Sequence, residues 1–288
     1  MIKSQINRII GFSSLLTGLL ALSCVISIGR RTAGIIEVLQ IEIPIQGLPL
    51  DFDGFTVCQI SDFHFKQHDK MDEKLLTILK ESNLKYDIIC LTGDYSYSAL
   101  SFGVAKNFLT LLDFKETYAV NGNSDLRQMF NTYRADEFND EPFLKDNVKK
   151  YLLNENIEIW RGENKIYLAG VDEVSYGRDN LKKALEGISD DDMVILLAHN
   201  PEIITKDGDN RIKLILSGHT HGGQICLPNG YALYNNTKLS LKYSSGLHDV
   251  WNHTKLYVNR GIGVTRIPIR LNSYPEVSII KLRSVNGN

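Results

Sequence analysis

Short apolar runs alternate along the chain with amphipathic segments. The run "IIEVLQIEIPI" (35–45) places apolar residues at roughly every second position, which predicts a strand, and "FTVCQIS" (55–61) predicts a second. The segment "MDEKLLTILKESNL" (71–84) instead spaces its apolar residues as a helix does. Asp72 and Glu73 stand in its first turn, where acidic side chains stabilise the helix dipole. Strands and helices therefore follow each other from the start of the folded part.

The same alternation continues along the chain and favours layered α/β packing. Further predicted strands are "YDIICLTGD" (86–94), "TYAVNGNSD" (117–125), "IEIW" (157–160), "KIYLAGVDE" (165–173), "MVILLAHNP" (193–201) and "IKLILSGHTHGG" (212–223). Further predicted helices are "ALSFGVAKNFLTLLD" (99–113), "RDNLKKALEG" (178–187) and one within the charged segment "EPFLKDNVKKYLLNEN" (141–156). Beyond Gln224 the predicted elements are strands, with "KLYVNRGIG" (255–263) and "EVSIIKL" (276–282) as candidates.

The N-terminus carries a long apolar run. Residues 9–28 contain no charged side chain, and 20 residues in a helix are enough to cross a bilayer about 30 Å thick. We favour an uncleaved anchor. A cleaved secretory signal would need a small-residue cleavage site, which does not follow the run. A lipoprotein signal could use Cys24, but the apolar run continues to Ile28. We therefore divide the chain into residues 1–32, an N-terminal membrane anchor or signal, and 33–284, a single folded domain.

Basic residues flank this run on both sides, with Lys3 and Arg8 before it and Arg30 and Arg31 after it. With the terminal amine, the positive charge before the run slightly exceeds the charge after it, which favours a cytoplasmic N-terminus under the positive-inside rule. We accordingly predict a membrane protein whose folded domain is extracytoplasmic, attached through residues 9–28.

The composition is that of a folded domain, with 43% apolar and 23% charged residues among 288. The net charge of −2 argues against a general nucleic-acid binder, so we expect no nucleic-acid partner. The four cysteines form no CxxC pair, which argues against a thiolate metal site.

Polar residues follow the predicted strands at the point where each strand ends. They are Asp62, Asp94, Asn123, His199 and His219. In open α/β sheets, ligands bind outside the carboxyl ends of the strands. We therefore expect these five side chains to meet at one site.

With His64 in "SDFH" and His221 in "GHTH", the set reaches seven oxygen and nitrogen donors. Such donors suit Mn²⁺, Fe or Zn²⁺ rather than a soft metal. Seven are too many for one open tetrahedral ion and suit two divalent ions that share a carboxylate. Two such ions can clamp a phosphoryl group and activate water for in-line attack.

The order D-x-H, GD, GN-x-D, HN, GHxH resembles that of the calcineurin-like metallophosphoesterase superfamily. The likeness is greatest to its bacterial membrane-associated phosphodiesterase branch, with "SDxH" and "GHTHGGQ", and extends over about residues 36–283. The resemblance implies an α/β/β/α sandwich of four layers. It also implies that Asp62, His64 and His221 hold one metal, that Asn123, His199 and His219 hold the other, and that Asp94 bridges them.

One position departs from the family pattern. Members of the family usually carry histidine after the asparagine, where it binds phosphate and helps to protonate the leaving group, but this chain has Ser124. General acid help is typically worth 10²–10⁴-fold. The leaving group could then be a good one, or Asp125 could act as the acid. We accordingly name Asp94, Asn123, Ser124 and Asp125 as candidate catalytic residues.

Two arginines are candidates for contact with a phosphate, because guanidinium groups bind phosphate oxygens in a bidentate manner. Arg260 follows "YVN" and Arg127 follows "GNSD" by two residues. We name Asn123 and Arg260 as candidate substrate-binding residues. Either arginine could equally be a surface ion-pair partner.

The leading hypothesis is a two-metal phosphoesterase that hydrolyses a phosphodiester or pyrophosphate bond, with a diester favoured over a monoester. The predicted anchor suggests a lipid-linked or envelope substrate. The alternative is a non-catalytic envelope protein that retains the metal site to bind phosphate groups, and Ser124 favours that alternative.

Overall fold

The computed structural model describes residues 2–66, 70–81, 84–132, 144–251 and 253–285. The side chains of residues 2–16, 81 and 129–132 lie outside this description.

The described part of the chain contains five α-helices and twelve β-strands, together with short 3₁₀ turns and loops. The helices are α1 (Ile2–Ala33), α2 (Met71–Glu81), α3 (Phe102–Leu112), α4 (Asn123–Thr132) and α5 (Leu181–Ala184). The strands are β1 (Glu37–Gln46), β2 (Thr56–Ile60), β3 (Ile88–Leu91), β4 (Thr117–Ala119), β5 (Lys150–Tyr151), β6 (Glu155–Arg161), β7 (Asn164–Gly170), β8 (Val194–Leu197), β9 (Ile212–Ser217), β10 (Gly246–Val250), β11 (Thr254–Val258) and β12 (Glu276–Val285).

The strands form two six-stranded mixed sheets. The first has the order β1-β12-β2-β3-β4-β5, and the second has the order β10-β11-β9-β8-β7-β6. In the first sheet β2, β3, β4 and β5 are parallel neighbours, whereas β12 is antiparallel to β2. In the second, β7, β8, β9 and β11 are parallel neighbours. The predicted mixture of helices and strands is therefore confirmed.

The main core lies between the two sheets. Along β9, Leu214 and Leu216 belong to the cluster that both sheets share, whereas Ile215 belongs to a cluster on the outer face of the second sheet. Leu75 of α2 and Phe108 of α3 pack against the outer face of the first sheet. Each central strand is thus apolar on both faces, as expected for strands that are covered on both sides.

One predicted helix is absent from the described residues. Within the segment predicted to be helical, residues 145–147 form a single 3₁₀ turn, residues 150–151 form β5, and β6 begins at Glu155. Residues 141–143 lie outside the described residues. Pairing of β5 with β4 stabilises an extended backbone there, so tertiary pairing overrides the helical preference of the lysines and leucines.

The N-terminal segment is helical over Ile2–Ala33. The predicted membrane-spanning helix over residues 9–28 is not supported, because no helix in the described part of the chain combines the length and the apolar character needed to cross a bilayer. Part of that predicted span, residues 9–16, has side chains outside the described residues.

Replacing Leu216 with alanine should lower the free energy of unfolding by about 2–5 kcal/mol, because a fully buried leucine would leave a cavity between the sheets. Urea denaturation followed by circular dichroism measures this change. The control is Leu100→Ala at a side chain that is 77% exposed, where the change should stay within about 0.5 kcal/mol. Equal losses in the two variants would contradict the packing described for Leu216.

Candidate metal centre

The candidate ligands lie at the carboxyl ends of parallel strands from both sheets. Asp62 and His64 follow β2, Asp94 follows β3, Asn123 follows β4, His199 follows β8, and His219 and His221 follow β9. Since the two sheets pack face to face, these strand ends meet along one edge of the molecule. The structure brings the seven side chains together at this edge.

The backbone at five of these residues is in the left-handed region. The φ angles are 50° at Asp62, 42° at His64, 58° at Asp94, 70° at His219 and 53° at His221. Residues with a β-carbon rarely adopt such angles, and each costs of order 1–3 kcal/mol. The surrounding contacts must over-determine these conformations, and such strain concentrates at functional sites.

Gly218 allows one of these close approaches. A methyl group at this position would overlap Ser61 Oγ and Asp62 Oδ2. The missing side chain lets the backbone N–H of His219 donate to Asp62 Oδ2 at 2.8 Å. Gly218 therefore brings the β9 loop against the β2 loop, although the ligands belong to different sheets.

Two groups of buried donors have the spacing of metal ligands. One consists of Asp62, His64 and His221, and the other of Asp62, Asp94 and His199; within each group the donor atoms lie within 4.8 Å of one another. The Asp94 carboxylate faces imidazoles from both sheets. Its Oδ2 lies 3.2 Å from His64 Nε2, and its Oδ1 lies 3.6 Å from His199 Nε2.

The two remaining predicted ligands lie next to His199. His199 Nε2 is 3.3 Å from Asn123 Oδ1 and 3.2 Å from His219 Nδ1. His199 Nδ1 lies 2.6 Å from the Thr92 carbonyl oxygen and donates to it. This contact fixes the ring so that Nε2 faces the other donors, as in many histidine ligands.

Asp62 Oδ1 and His64 Nε2 are buried and make no hydrogen bond within the described residues. Asp62 Oδ1 nevertheless lies 3.3 Å from His221 Nε2. The carboxylate oxygen of Asp62 and the imidazole nitrogens of His64 and His221 therefore lie around one buried space. Buried polar atoms without partners are costly, so these residues fit a divalent cation.

The charges of the site favour a cation as well. Burial acts to raise the pKa of Asp94, but the positive charge of His199 and the nearby His64 imidazole hold it well below its usual value. Burial lowers the pKa of His219 to about 3 and that of His221 well below its ordinary value. These two imidazoles are therefore neutral, which is the form that binds metals.

Asp125 is fully buried and joins two loops of the site. Its carboxylate accepts hydrogen bonds from the backbone N–H groups of Asp94, Tyr95 and Gly122 at 2.8–2.9 Å. Burial raises its pKa to about 7, and the nearby Asp94 charge adds to the rise. These contacts show that Asp125 connects the two loops, while its role as an acid stays a prediction.

Arg260, which was predicted to contact a phosphate, forms ion pairs with two glutamates. Its Nε donates to Glu276 at 2.5 Å and its Nη2 donates to Glu37 at 2.8 Å. These two ion pairs hold the guanidinium beside β1 and β12, and the contact of Arg260 with substrate stays a prediction.

Sequence reasoning missed Arg270, which is fully buried behind His221. Its guanidinium donates to the backbone carbonyls of Arg260, Gly261 and Gly263, and also to those of His221 and Ser273. The only signal in the sequence is an arginine in the otherwise apolar stretch "IPIRL". This residue ties the loop after β11 to the loop that carries His221.

A cavity of about 690 Å³ opens over the ligands. Its floor includes His64, Asp94, Asn123 and His221, and its walls include Ser124, Arg127, Arg266, Ile225, Leu233, Tyr234 and Ile267. The volume is typical of small-molecule sites. The cavity therefore combines metal-ligating, basic and apolar surfaces.

Comparison with known proteins agrees with this geometry. A sequence model of the calcineurin-like phosphoesterase family matches residues 55–223. The metallophosphoesterase YkuE of Bacillus subtilis is 29% identical over 261 residues, which is 87% of each chain. YkoQ of the same organism is 30% identical over 230 residues, covering 77% of this chain and 82% of that relative.

A third relative is a transmembrane protein with a metallophosphoesterase domain from Bos taurus. It is 32% identical over 269 residues, which is 86% of this chain but only 57% of that relative. The family uses divalent metal ions, and the buried donor groups described above agree with that requirement. From its matched length, its similarity to these relatives and its clustered donors, the chain belongs to the calcineurin-like phosphoesterase family.

Proposed function

We propose that the protein is a metal-dependent phosphohydrolase that holds two divalent ions and cleaves a phosphodiester or pyrophosphate bond. The observation that carries this proposal is the convergence of buried carboxylate and imidazole donors beneath an open cavity. Asp62, His64 and His221 hold one ion. The second is held by Asn123, His199 and His219, and Asp94 is shared. The position of Asp94 between imidazoles of the two sets supports this division.

The ions, which are Mn²⁺, Fe or Zn²⁺ for this donor set, supply water activation and charge neutralisation when bound. The protein supplies their spacing. Asp125 and Arg270 hold the ligand loops through hydrogen bonds within the protein, which keeps the geometry fixed during the reaction.

Ser124 favours substrates with good leaving groups. Its hydroxyl donates to Asp94 Oδ2 at 2.9 Å, and its N–H donates to Asp94 Oδ1 at 2.7 Å. The hydroxyl proton of Ser124 is therefore engaged in a hydrogen bond to Asp94. In addition, a serine cannot protonate a leaving group near neutral pH. A pyrophosphate linkage or an aryl diester needs less protonation than an alkyl ester, because its leaving oxygen is only weakly basic.

The apolar wall of the cavity supports an amphiphilic, lipid-linked substrate. Ile225, Leu233, Tyr234 and Ile267 line this wall, and Leu233 is 57% exposed. The C-terminal part of α1 lies near the residues that follow Ile267 of this wall, since the Gly29 carbonyl accepts a hydrogen bond from the backbone N–H of Arg270 at 2.9 Å. Exposed apolar side chains such as Leu20 and Ile28 continue along α1. Association with a membrane surface is part of this proposal.

A second candidate function is a non-catalytic protein that binds phosphate groups through the same metals. Ser124 favours it, since the histidine that usually assists the leaving group is replaced. The two candidates differ in whether a bound phosphodiester is turned over.

Asp94→Asn should lower kcat/KM for bis(4-nitrophenyl) phosphate by at least about 100-fold in the presence of Mn²⁺, because a shared ligand loses its charge. Release of nitrophenolate and metal content measure the effect. The control is Asp190→Asn at an exposed position, which should retain activity. Unchanged turnover in the Asp94 variant would refute the catalytic proposal, and metal-dependent binding by the native protein without turnover would establish the binding function instead.

Leu233→Ser should lower kcat/KM for an amphiphilic phosphodiester by about tenfold, because burial of an aliphatic chain against leucine is lost. A short-chain soluble diester should be cleaved as before. The matched control is Leu247→Ser, a leucine 39% exposed and outside the residues that line the cavity. If native protein cleaved soluble diesters briskly and ignored amphiphilic ones, the lipid-linked substrate would be abandoned.

A further inference from the structure

A directed chain of hydrogen bonds runs from Arg127 to the shared carboxylate. Arg127 Nη2 donates to Ser124 Oγ at 3.2 Å, and Ser124 Oγ donates to Asp94 Oδ2 at 2.9 Å. A guanidinium is only a donor, so the serine oxygen accepts from it and the serine proton is directed to Asp94. Ser124 therefore connects an arginine to the metal ligands.

The geometry of α4 explains why this arginine reaches the site. Ser124 and Arg127 are three residues apart in α4, so their side chains lie on the same face of the helix. Leu126, which lies between them in sequence, is buried against the protein. Arg127 is exposed and lines the cavity. The guanidinium thus stands beside the position that the family normally gives to a histidine.

Most of the N–H donors of Arg127 have no partner within the described residues. A guanidinium has five N–H donors, and within the described residues Arg127 makes one hydrogen bond and no ion pair. Arg178, Arg211 and Arg260 differ, since each pairs with a carboxylate. In the described lining of the cavity the only carboxylate is Asp94, so the described residues leave the remaining donors of Arg127 available to an anion from solvent.

We propose that Arg127, held by Ser124, binds the phosphate that leaves, and that it makes the enzyme specific for pyrophosphate linkages. This inference rests on the proposed function, because it assumes hydrolysis at the metal centre. A planar guanidinium binds two oxygens of one phosphate at once, and the bonds are charge-assisted. A leaving phosphate offers such oxygens, whereas a leaving alkoxide or phenolate does not.

The chemistry balances with water as the only co-reactant. The water oxygen forms a bond to the attacked phosphorus, and the bond from that phosphorus to the bridging oxygen breaks. The electron pair of that bond remains on the leaving phosphate, and the water protons pass to solvent and to the product phosphates. Arginine cannot give a proton, so it contributes charge stabilisation alone.

The test compares two substrates that share the attacked group. The 4-nitrophenyl ester of AMP and ADP-ribose both present an adenylyl phosphorus, and only ADP-ribose has a phosphate as leaving group. Arg127→Met should lower kcat/KM for ADP-ribose by about 10- to 100-fold and that for the nitrophenyl ester by less than about threefold. Arg127→Lys should fall between native protein and Arg127→Met, because it keeps the charge but loses the planar fork.

Metal content and melting temperature should not change in Arg127→Met, since the side chain is exposed. The matched control is Arg266→Met, which removes a second exposed arginine from the same cavity and should leave the ratio of the two substrates unchanged. An equal effect from Arg266→Met, or equal losses on both substrates in Arg127→Met, would overturn the assignment.

Failure of this inference and failure of the proposed function have different signatures. Cleavage of the nitrophenyl ester without cleavage of ADP-ribose would overturn the pyrophosphate specificity while the phosphohydrolase stands. Native protein that binds Mn²⁺ and cleaves neither substrate would remove the proposed function itself.

Discussion

Two buried carboxylates, Asp62 and Asp94, create the electrostatic requirement on which the rest of the site depends. Both are almost completely inaccessible to solvent, and burial disfavours their charge. Imidazoles from both sheets surround them, and the raised pKa of His199, about 9 despite its burial, reflects the pull of these carboxylates on a positive charge. A protein that buries acidic groups in this way needs cations to balance them.

The arginines near the metal centre have two different roles, since some stabilise the loops and one is proposed to bind substrate. Arg270 is buried and saturated by backbone carbonyls, and Arg260 is bound to two glutamates, so both act as scaffold. Arg127 and Arg266 both line the cavity, and of the two it is Arg127 that has a described hydrogen bond to Ser124, which connects it to the metal ligands. Burial and partners, rather than residue type, separate the structural guanidiniums from the one proposed to meet substrate.

Much of the fold and the site could be predicted from the pattern of the sequence, because apolar runs end at Asp62, Asp94 and His199. The carboxyl ends of parallel strands meet at one edge whatever the details of the loops. The pattern could not predict β5, since that pairing depends on β4. It also could not separate Arg260 from Arg127, because side-chain partners come from residues distant in sequence.

The C-terminal strand β12 lies between β1 and β2, which are the first two strands of the chain. The first sheet is therefore incomplete until residues 276–285 have been synthesised, and β2, which carries Asp62 at its end, lacks a neighbour on one side until then. Non-local pairing of this kind delays folding. The strand that ends at Asp62 therefore depends on a partner distant in sequence, so assembly of the metal ligands is coupled to this late pairing.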